Sequence, residues 1–233
     1  MSEMPETTPR ERLRRIGVIP VVTIPSADVA LPLADTLATA GLDCLEITLR
    51  TAAGMAAIRR VRQSRPDLLV GAGTVLTADQ AHEAIAAGAQ FVVTPGFMPR
   101  VAAVCLEEKV PIFPGVVTPT EIGKALDAGL TDLKFFPAEA AGGLATLRAL
   151  AGPFPMVRFI PTGGIGPGNV ASYLREAAVL AVGGTWMVRA ELLESGDWAA
   201  VRAAAEQAVA IVREVRGSPS GSPAGAPSLG ARP

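Results

Sequence analysis

The chain is 233 residues long, 49% hydrophobic and 18% charged, with a net charge of −1, so it can bury a sizeable core and carries no basic footprint for nucleic acid. No apolar run of membrane-spanning length escapes a glycine, proline or charge, and no apolar segment follows Arg10, Arg12, Arg14 and Arg15, so neither a membrane span nor a signal peptide is expected. Cys44 and Cys105 lack metal-type spacing and His82 is the single histidine, which excludes a multi-histidine zinc site and points to buried free thiols in a cytoplasmic protein.

Residues 1–9 read as a flexible start, overlapped by a short helix over Thr8–Arg15. Apolar runs then alternate with alanine-rich amphipathic stretches. The predicted strands are Gly17–Val22, Leu42–Thr48, Leu68–Gly73, Phe91–Thr94, Val110–Pro114, Asp132–Phe136, Val157–Pro161 and Leu180–Val182. The predicted helices between them are Ala27–Ala40, Ala52–Gln63, Ala78–Ala87, Pro99–Glu107, Pro119–Ala128, Gly143–Leu150 and Asn169–Glu176. Three exits share one form, Ala40-Gly41-Leu42, Ala87-Gly88-Ala89 and Ala128-Gly129-Leu130, with glycine placed just past the helix end. Helices over Trp186–Leu193 and Asp197–Val215 follow the last strand. The stretch 217–233, rich in Gly, Pro and Ser without periodicity, reads as a disordered tail.

Eight strands with intervening helices is the count of a (β/α)8 TIM barrel, here over residues 10–216. An open doubly wound sheet has the same alternation, but no Gly-x-Gly-x-x-Gly unit follows the first strand.

Lys134 interrupts the apolar run Leu130-Thr131-Asp132-Leu133-Lys134-Phe135-Phe136-Pro137. Burying an ammonium costs several kcal/mol unless something compensates, and a desolvated amine loses its proton more readily. A neutral amine attacks carbonyls, the first step of Schiff-base catalysis. A lysine that snorkels or pairs with a carboxylate is the plainer reading. Of the three lysines, Lys109 falls at a helix–strand junction and Lys124 in a helix, so Lys134 is the candidate amine by elimination.

Active sites of such barrels lie at the C-terminal ends of the strands. There the second strand carries Glu46, Thr48 and Arg50 on one face by its period of two. Glu46 beside Lys134 would be either a charge-neutralising pair or a general acid/base next to a nucleophile. Farther on, Pro161-Thr162-Gly163-Gly164-Ile165 and Gly183-Gly184-Thr185-Trp186 place glycine pairs at the seventh and eighth strands. Glycine pairs often mark tight turns, but loops at these two strands also bind phosphate, with help from a following helix N-terminus.

Taken together, Leu45-Glu46-Ile47-Thr48-Leu49-Arg50-Thr51, Val70-Gly71-Ala72-Gly73-Thr74-Val75-Leu76, Leu133-Lys134-Phe135-Phe136-Pro137-Ala138-Glu139, Phe159-Ile160-Pro161-Thr162-Gly163-Gly164-Ile165 and Gly183-Gly184-Thr185-Trp186 resemble the class I 2-keto-3-deoxy-6-phosphogluconate (KDPG) and 4-hydroxy-2-oxoglutarate (KHG) aldolases. The resemblance implies a metal-independent homotrimer without a cofactor, cleaving a phosphorylated 2-keto acid to pyruvate and glyceraldehyde 3-phosphate. It implies that Lys134 forms the Schiff base and Glu46 moves protons. Arg50, Thr74 and Pro95 match positions around the pyruvate end, with Phe136 lining the pocket, and Thr162, Gly163, Gly164, Gly184 and Thr185 match the phosphate end. Gly166 stands where a hydroxyl residue is common, and Thr185 replaces a more usual serine. The rival activities are cleavage of 4-hydroxy-2-oxoglutarate or of the 6-phosphogalactonate epimer; a non-catalytic phospho-ligand-binding barrel is the rival from outside enzymes.

Overall fold

The computed structural model describes residues 8–217; the rest of the predicted flexible start and tail lies outside them. The expected short helix over Thr8–Arg15 is α1 (Pro9–Ile16), so its first residues are not part of a flexible start: Thr8 caps it in a reciprocal box with Glu11, and Pro9 is its first residue. Gly217, expected in the tail, ends the last helix.

In chain order follow β1 (Val18–Val22), α2 (Ala30–Thr39), β2 (Cys44–Thr48), α3 (Gly54–Ser64), β3 (Leu69–Gly73), α4 (Ala78–Ala86), β4 (Phe91–Val93), α5 (Pro99–Glu107), β5 (Ile112–Phe113) and β6 (Gly115–Val116). The second half holds α6 (Pro119–Asp127), β7 (Asp132–Phe135), α7 (Gly143–Ala151), β8 (Arg158–Pro161), α8 (Val170–Leu174), β9 (Val182–Gly184), α9 (Ala190–Ser195) and α10 (Trp198–Gly217). The result is an α/β fold on a curled, parallel sheet. Six strands run β5-β4-β3-β2-β1-β9 and three run β6-β7-β8. Single bridges, Phe159 to Val179 and Thr162 to Gly183, link the two sets beside β8 and β9. Strands β1 to β4 are buried at every position, because helices cover their outer faces and side chains fill the concave one.

Four elements depart from expectation. The predicted fifth strand, Val110–Pro114, shortens to β5, and an unpredicted β6 starts just past Pro114, which has no N–H to give to a ladder. The predicted eighth strand lies two residues later, as β9, in register with β1 from Val18↔Val182 to Pro20↔Gly184. Hydropathy missed it because Gly183 and Gly184 look like turn residues. They are glycine because their neighbours press close: a Cβ on Gly183 would lie 2.3 Å from the Thr162 hydroxyl, and one on Gly184 1.8 Å from the Trp186 ring. The helix predicted from Trp186 starts only at Ala190, after a turn closed by the Val188 N–H on the Thr185 carbonyl. No helix N-terminus therefore begins at Thr185, contrary to expectation. Helix α8 is likewise shorter than the predicted Asn169–Glu176.

The three shared helix exits close alike. Gly41, Gly88 and Gly129 are left-handed (φ 93°, 99° and 78°), and the next residue's N–H reaches back to Leu37, Ala84 and Ala125 respectively. Helix α1 covers the opposite end of the sheet from these strands' C-termini. Its Leu13 and Ile16 are buried. Arg12 donates to the carbonyls of Asp43 and Asp67, just before β2 and β3, and Arg10 pairs with Asp132 of β7 at 2.5 Å.

Candidate active site

Strands β2 and β7 belong to different strand sets, yet their polar residues meet inside the curl. Lys134 Nζ lies 3.6 Å from Glu46 Oε1, and the two residues are only 6% and 2% exposed. The neighbouring strands are cut back to make room. Gly73, on β3, has no Cβ because one would fall 2.2 Å from Glu46 Oε1. Gly115, paired with Lys134 in the ladder, would place a Cβ 2.2 Å from the Pro95 carbonyl oxygen.

Two partners compensate the buried amine: the Glu46 carboxylate, and the Phe136 ring, whose centroid is 5.0 Å from Nζ. Both distances suit attraction without a fixed bond, since an N–H···O bond spans about 2.7–3.2 Å and a cation–π contact reaches about 6 Å. Glu46 Oε1 is buried without a hydrogen-bond partner. A desolvated carboxylate oxygen in that state gains by accepting a hydrogen bond from whatever enters beside it.

What can enter is defined by a cavity of about 300 Å³ above the pair. It is lined by Lys134 and by Arg50, Thr74, Pro95, Phe136, Thr162, Gly163, Gly164, Gly184 and Thr185, so every predicted site residue borders it except Glu46, which sits behind the amine. Thr74 is held at φ 57°, a strained region for a β-branched residue and one that clusters at functional sites. Val21, Thr23, Thr48, Ile165 and Gly183 complete the lining. Thr48 was legible on the face of Glu46 and Arg50. Thr23 carries no sequence signal beyond being the polar residue just past the apolar strand β1. A larger space, about 610 Å³, lies between the starts of α4 and α5, but its titratable side chains Asp79 and Arg100 are exposed. The chemistry, not the volume, selects the smaller cavity.

The Gly163–Gly164 turn is held from outside. Both residues are left-handed (φ 101° and 76°). Glu139 donates its N–H to the Gly163 carbonyl at 3.1 Å and packs where a Gly164 Cβ would fall. The Tyr173 hydroxyl donates to the Glu139 carboxylate, and burial together with that carboxylate keeps the phenol protonated far above its ordinary range. Asn169 donates to the Gly164 carbonyl and accepts from the Gly166 N–H. The turn thus presents a fixed backbone to the cavity.

The remaining reactive groups stand apart. Cys44 and Cys105 are buried free thiols, and His82 is exposed on α4. No three His, Cys, Asp or Glu side chains group into a metal site among the described residues.

The family model described as "Aldolase: KDPG and KHG aldolase" matches residues 10–204. The chain belongs to the KDPG and KHG aldolase family. Its relatives there include a "2-dehydro-3-deoxy-phosphogluconate aldolase" of Treponema pallidum, 52% identical over 87% of this chain and 96% of the relative. A "KHG/KDPG aldolase" of Escherichia coli is 44% identical over 82% and 90%. Among solved members of the family, the KDPG aldolase of Legionella pneumophila superposes with a TM-score of 0.83 at 39% identity, covering 88% of this chain and 98% of that one. It holds pyruvate captured at low pH as a covalent carbinolamine intermediate. In this family member, then, the amine–carboxylate pair sits within a fold whose solved relative binds pyruvate covalently.

Proposed function

We propose that the chain is a class I aldolase that cleaves KDPG to pyruvate and glyceraldehyde 3-phosphate, on a (β/α)8 barrel spanning residues 10–216. The observation that carries this reading is the buried Lys134–Glu46 pair at 3.6 Å beneath the cavity. Neutral Lys134 attacks the C2 ketone to give a carbinolamine, which loses water, with Glu46 relaying the proton, to give an iminium ion. The C4 hydroxyl then gives up its proton and the C3–C4 electron pair moves onto the iminium, releasing the aldehyde and leaving an enamine. Protonation at C3 and hydrolysis free pyruvate and restore the amine. The iminium is the electron sink, so the scheme routes no step through a metal.

Arg50, at the exit of β2, holds the substrate carboxylate, for which its planar fork is suited. Thr74 and Pro95 flank that end and Phe136 walls the cavity beside the amine. Thr162, Gly163, Gly164, Gly184 and Thr185 take the phosphate through hydroxyls and backbone N–H groups. The homotrimer rests on the family resemblance, and a cytoplasmic location on the free thiols.

The test is reduction with borohydride in the presence of pyruvate, followed by peptide mapping. A stable adduct on Lys134 is expected, and Lys134→Ala should lose both trapping and turnover. Undiminished turnover by that variant, or activity abolished by a chelator, overturns the assignment. Because the family model also names KHG aldolase, kcat/KM for KDPG, its 6-phosphogalactonate epimer and 4-hydroxy-2-oxoglutarate decides the substrate.

A further inference from the structure

Thr23 and Thr48 form a pair to which no role has been given. Thr48 ends β2 and is 3% exposed; Thr23 follows β1 and is half-buried. The β1–β2 register, Val21↔Glu46 and Val22↔Ile47, brings the two threonines opposite each other, and their hydroxyl oxygens are 3.0 Å apart. Both side chains line the substrate cavity.

Two hydroxyls in contact share one hydrogen bond between two O–H donors. Neither Thr23 nor Thr48 bonds any other group among the described residues through its hydroxyl. One O–H of the pair is therefore left without a protein acceptor, and the donor it shares with its neighbour is polarised by that neighbour. The segment is also pinned. The Thr51 hydroxyl donates to the Ile24 carbonyl at 2.7 Å, which fixes the backbone one residue beyond Thr23.

Position along the strands says what the spare donor would meet. The pair lies two residues nearer the rim than Glu46, a rise of about 6.6 Å along the strand. It is thus beyond the atoms bonded to C2 when C2 is joined to Lys134. The sheet order places β1 between β2, which leads out to Arg50, and β9, which carries Gly184. A ligand held by its carboxylate at one side and its phosphate at the other presents the intervening hydroxylated carbons to this pair.

We propose that the Thr23–Thr48 pair is a specificity subsite that hydrogen-bonds the C5 hydroxyl of the substrate, the hydroxyl carried by C2 of glyceraldehyde 3-phosphate. This rests on the aldolase reading above. Thr23 selects the aldehyde fragment, and Thr48 acts by orienting Thr23.

The experiment runs the reaction toward condensation, with pyruvate and either glyceraldehyde 3-phosphate or 3-hydroxypropanal phosphate, which lacks only that hydroxyl. Wild-type protein should prefer the hydroxylated acceptor in kcat/KM by about tenfold, the size of one neutral hydrogen bond. Thr23→Val, which keeps the shape and removes the hydroxyl, should bring the two acceptors close to parity, and Thr23→Ser should restore the preference. A loss shared equally by both acceptors in Thr23→Val would mean that the pair only rivets β1 to β2, and overturns the proposal. So does a wild-type protein that does not distinguish the acceptors. Failure of wild-type protein to trap pyruvate on Lys134 would instead sink the aldolase reading itself.

Discussion

At the scale of single residues, the decisive features are a charge where none should be and glycines where a side chain will not fit. Lys134 was legible because an ammonium in an apolar strand demands a partner. The strand period also pointed to Glu46 as its partner, but only the curl of the sheet brings the two, far apart in sequence, to 3.6 Å. The roles of Gly73, Gly183 and Gly184 were hidden for a similar reason. Each is dictated by a side chain on another segment: Glu46, Thr162 and Trp186. This gives a sharp expectation for Gly73→Ala. The added methyl would fall 2.2 Å from Glu46 Oε1, which the carboxylate can relieve only by swinging off the amine. We expect kcat to fall by about 100-fold, within the range that a positioned acid/base supplies, while circular dichroism shows a folded protein. Unchanged kcat would mean that the carboxylate's placement beside Lys134 is not used.

At the scale of elements, the helix exits were readable because glycine past a helix end has one dominant structural meaning. A fourth exit follows the same rule with the wrong residue. Lys109 is left-handed at φ 56° after α5, and the Val110 N–H closes back on the Cys105 carbonyl at 2.9 Å. A side chain in that conformation costs roughly 1 kcal/mol relative to glycine. Lys109→Gly should therefore stabilise the protein by somewhat less than that, since glycine also gains freedom in the unfolded chain, read as a higher urea midpoint at constant slope.

Helix α6 carries an electrostatic signature of its cap. Burial pushes the Glu121 carboxyl up, but hydrogen bonds from the Val117 N–H and from the Thr118 hydroxyl and N–H outweigh it and hold the carboxyl below its ordinary value of 4.5. A carboxyl lowered by folding stabilises the protein above its unfolded value, and that stability is lost as pH falls through the folded one. Wild-type protein should thus lose urea stability below about pH 4.5 more steeply than Glu121→Gln, whose cap does not titrate. Parallel acid limbs for the two proteins would remove Glu121 from the account. Where strand prediction erred, the cause was local too: Pro114 reads as a strand end and hides β6 just beyond it, and the glycines of β9 carry no apolar side chain for a pattern to find.

At the scale of the whole molecule, alternation along the chain gave the α/β class and the strand ends gave the lining of one cavity, because parallel strands deliver all their C-terminal ends to one side. What alternation could not give was the other side. Helix α1 looked like a minor prelude, yet Arg10, Arg12, Leu13 and Ile16 stopper the strand bottoms. With that floor covered among the described residues and the Lys134 amine at the inner end of a cavity opening on the opposite rim, traffic runs through that rim. In the proposed reaction the aldehyde half of a cleaved substrate would stand between the enamine and bulk water, so it would depart first and pyruvate last. In reverse, pyruvate must be seated before its companion, and aldehyde crowding an empty vestibule delays it. Initial rates of condensation should accordingly pass through a maximum as glyceraldehyde 3-phosphate is raised at fixed pyruvate, and the maximum should recede when pyruvate is increased.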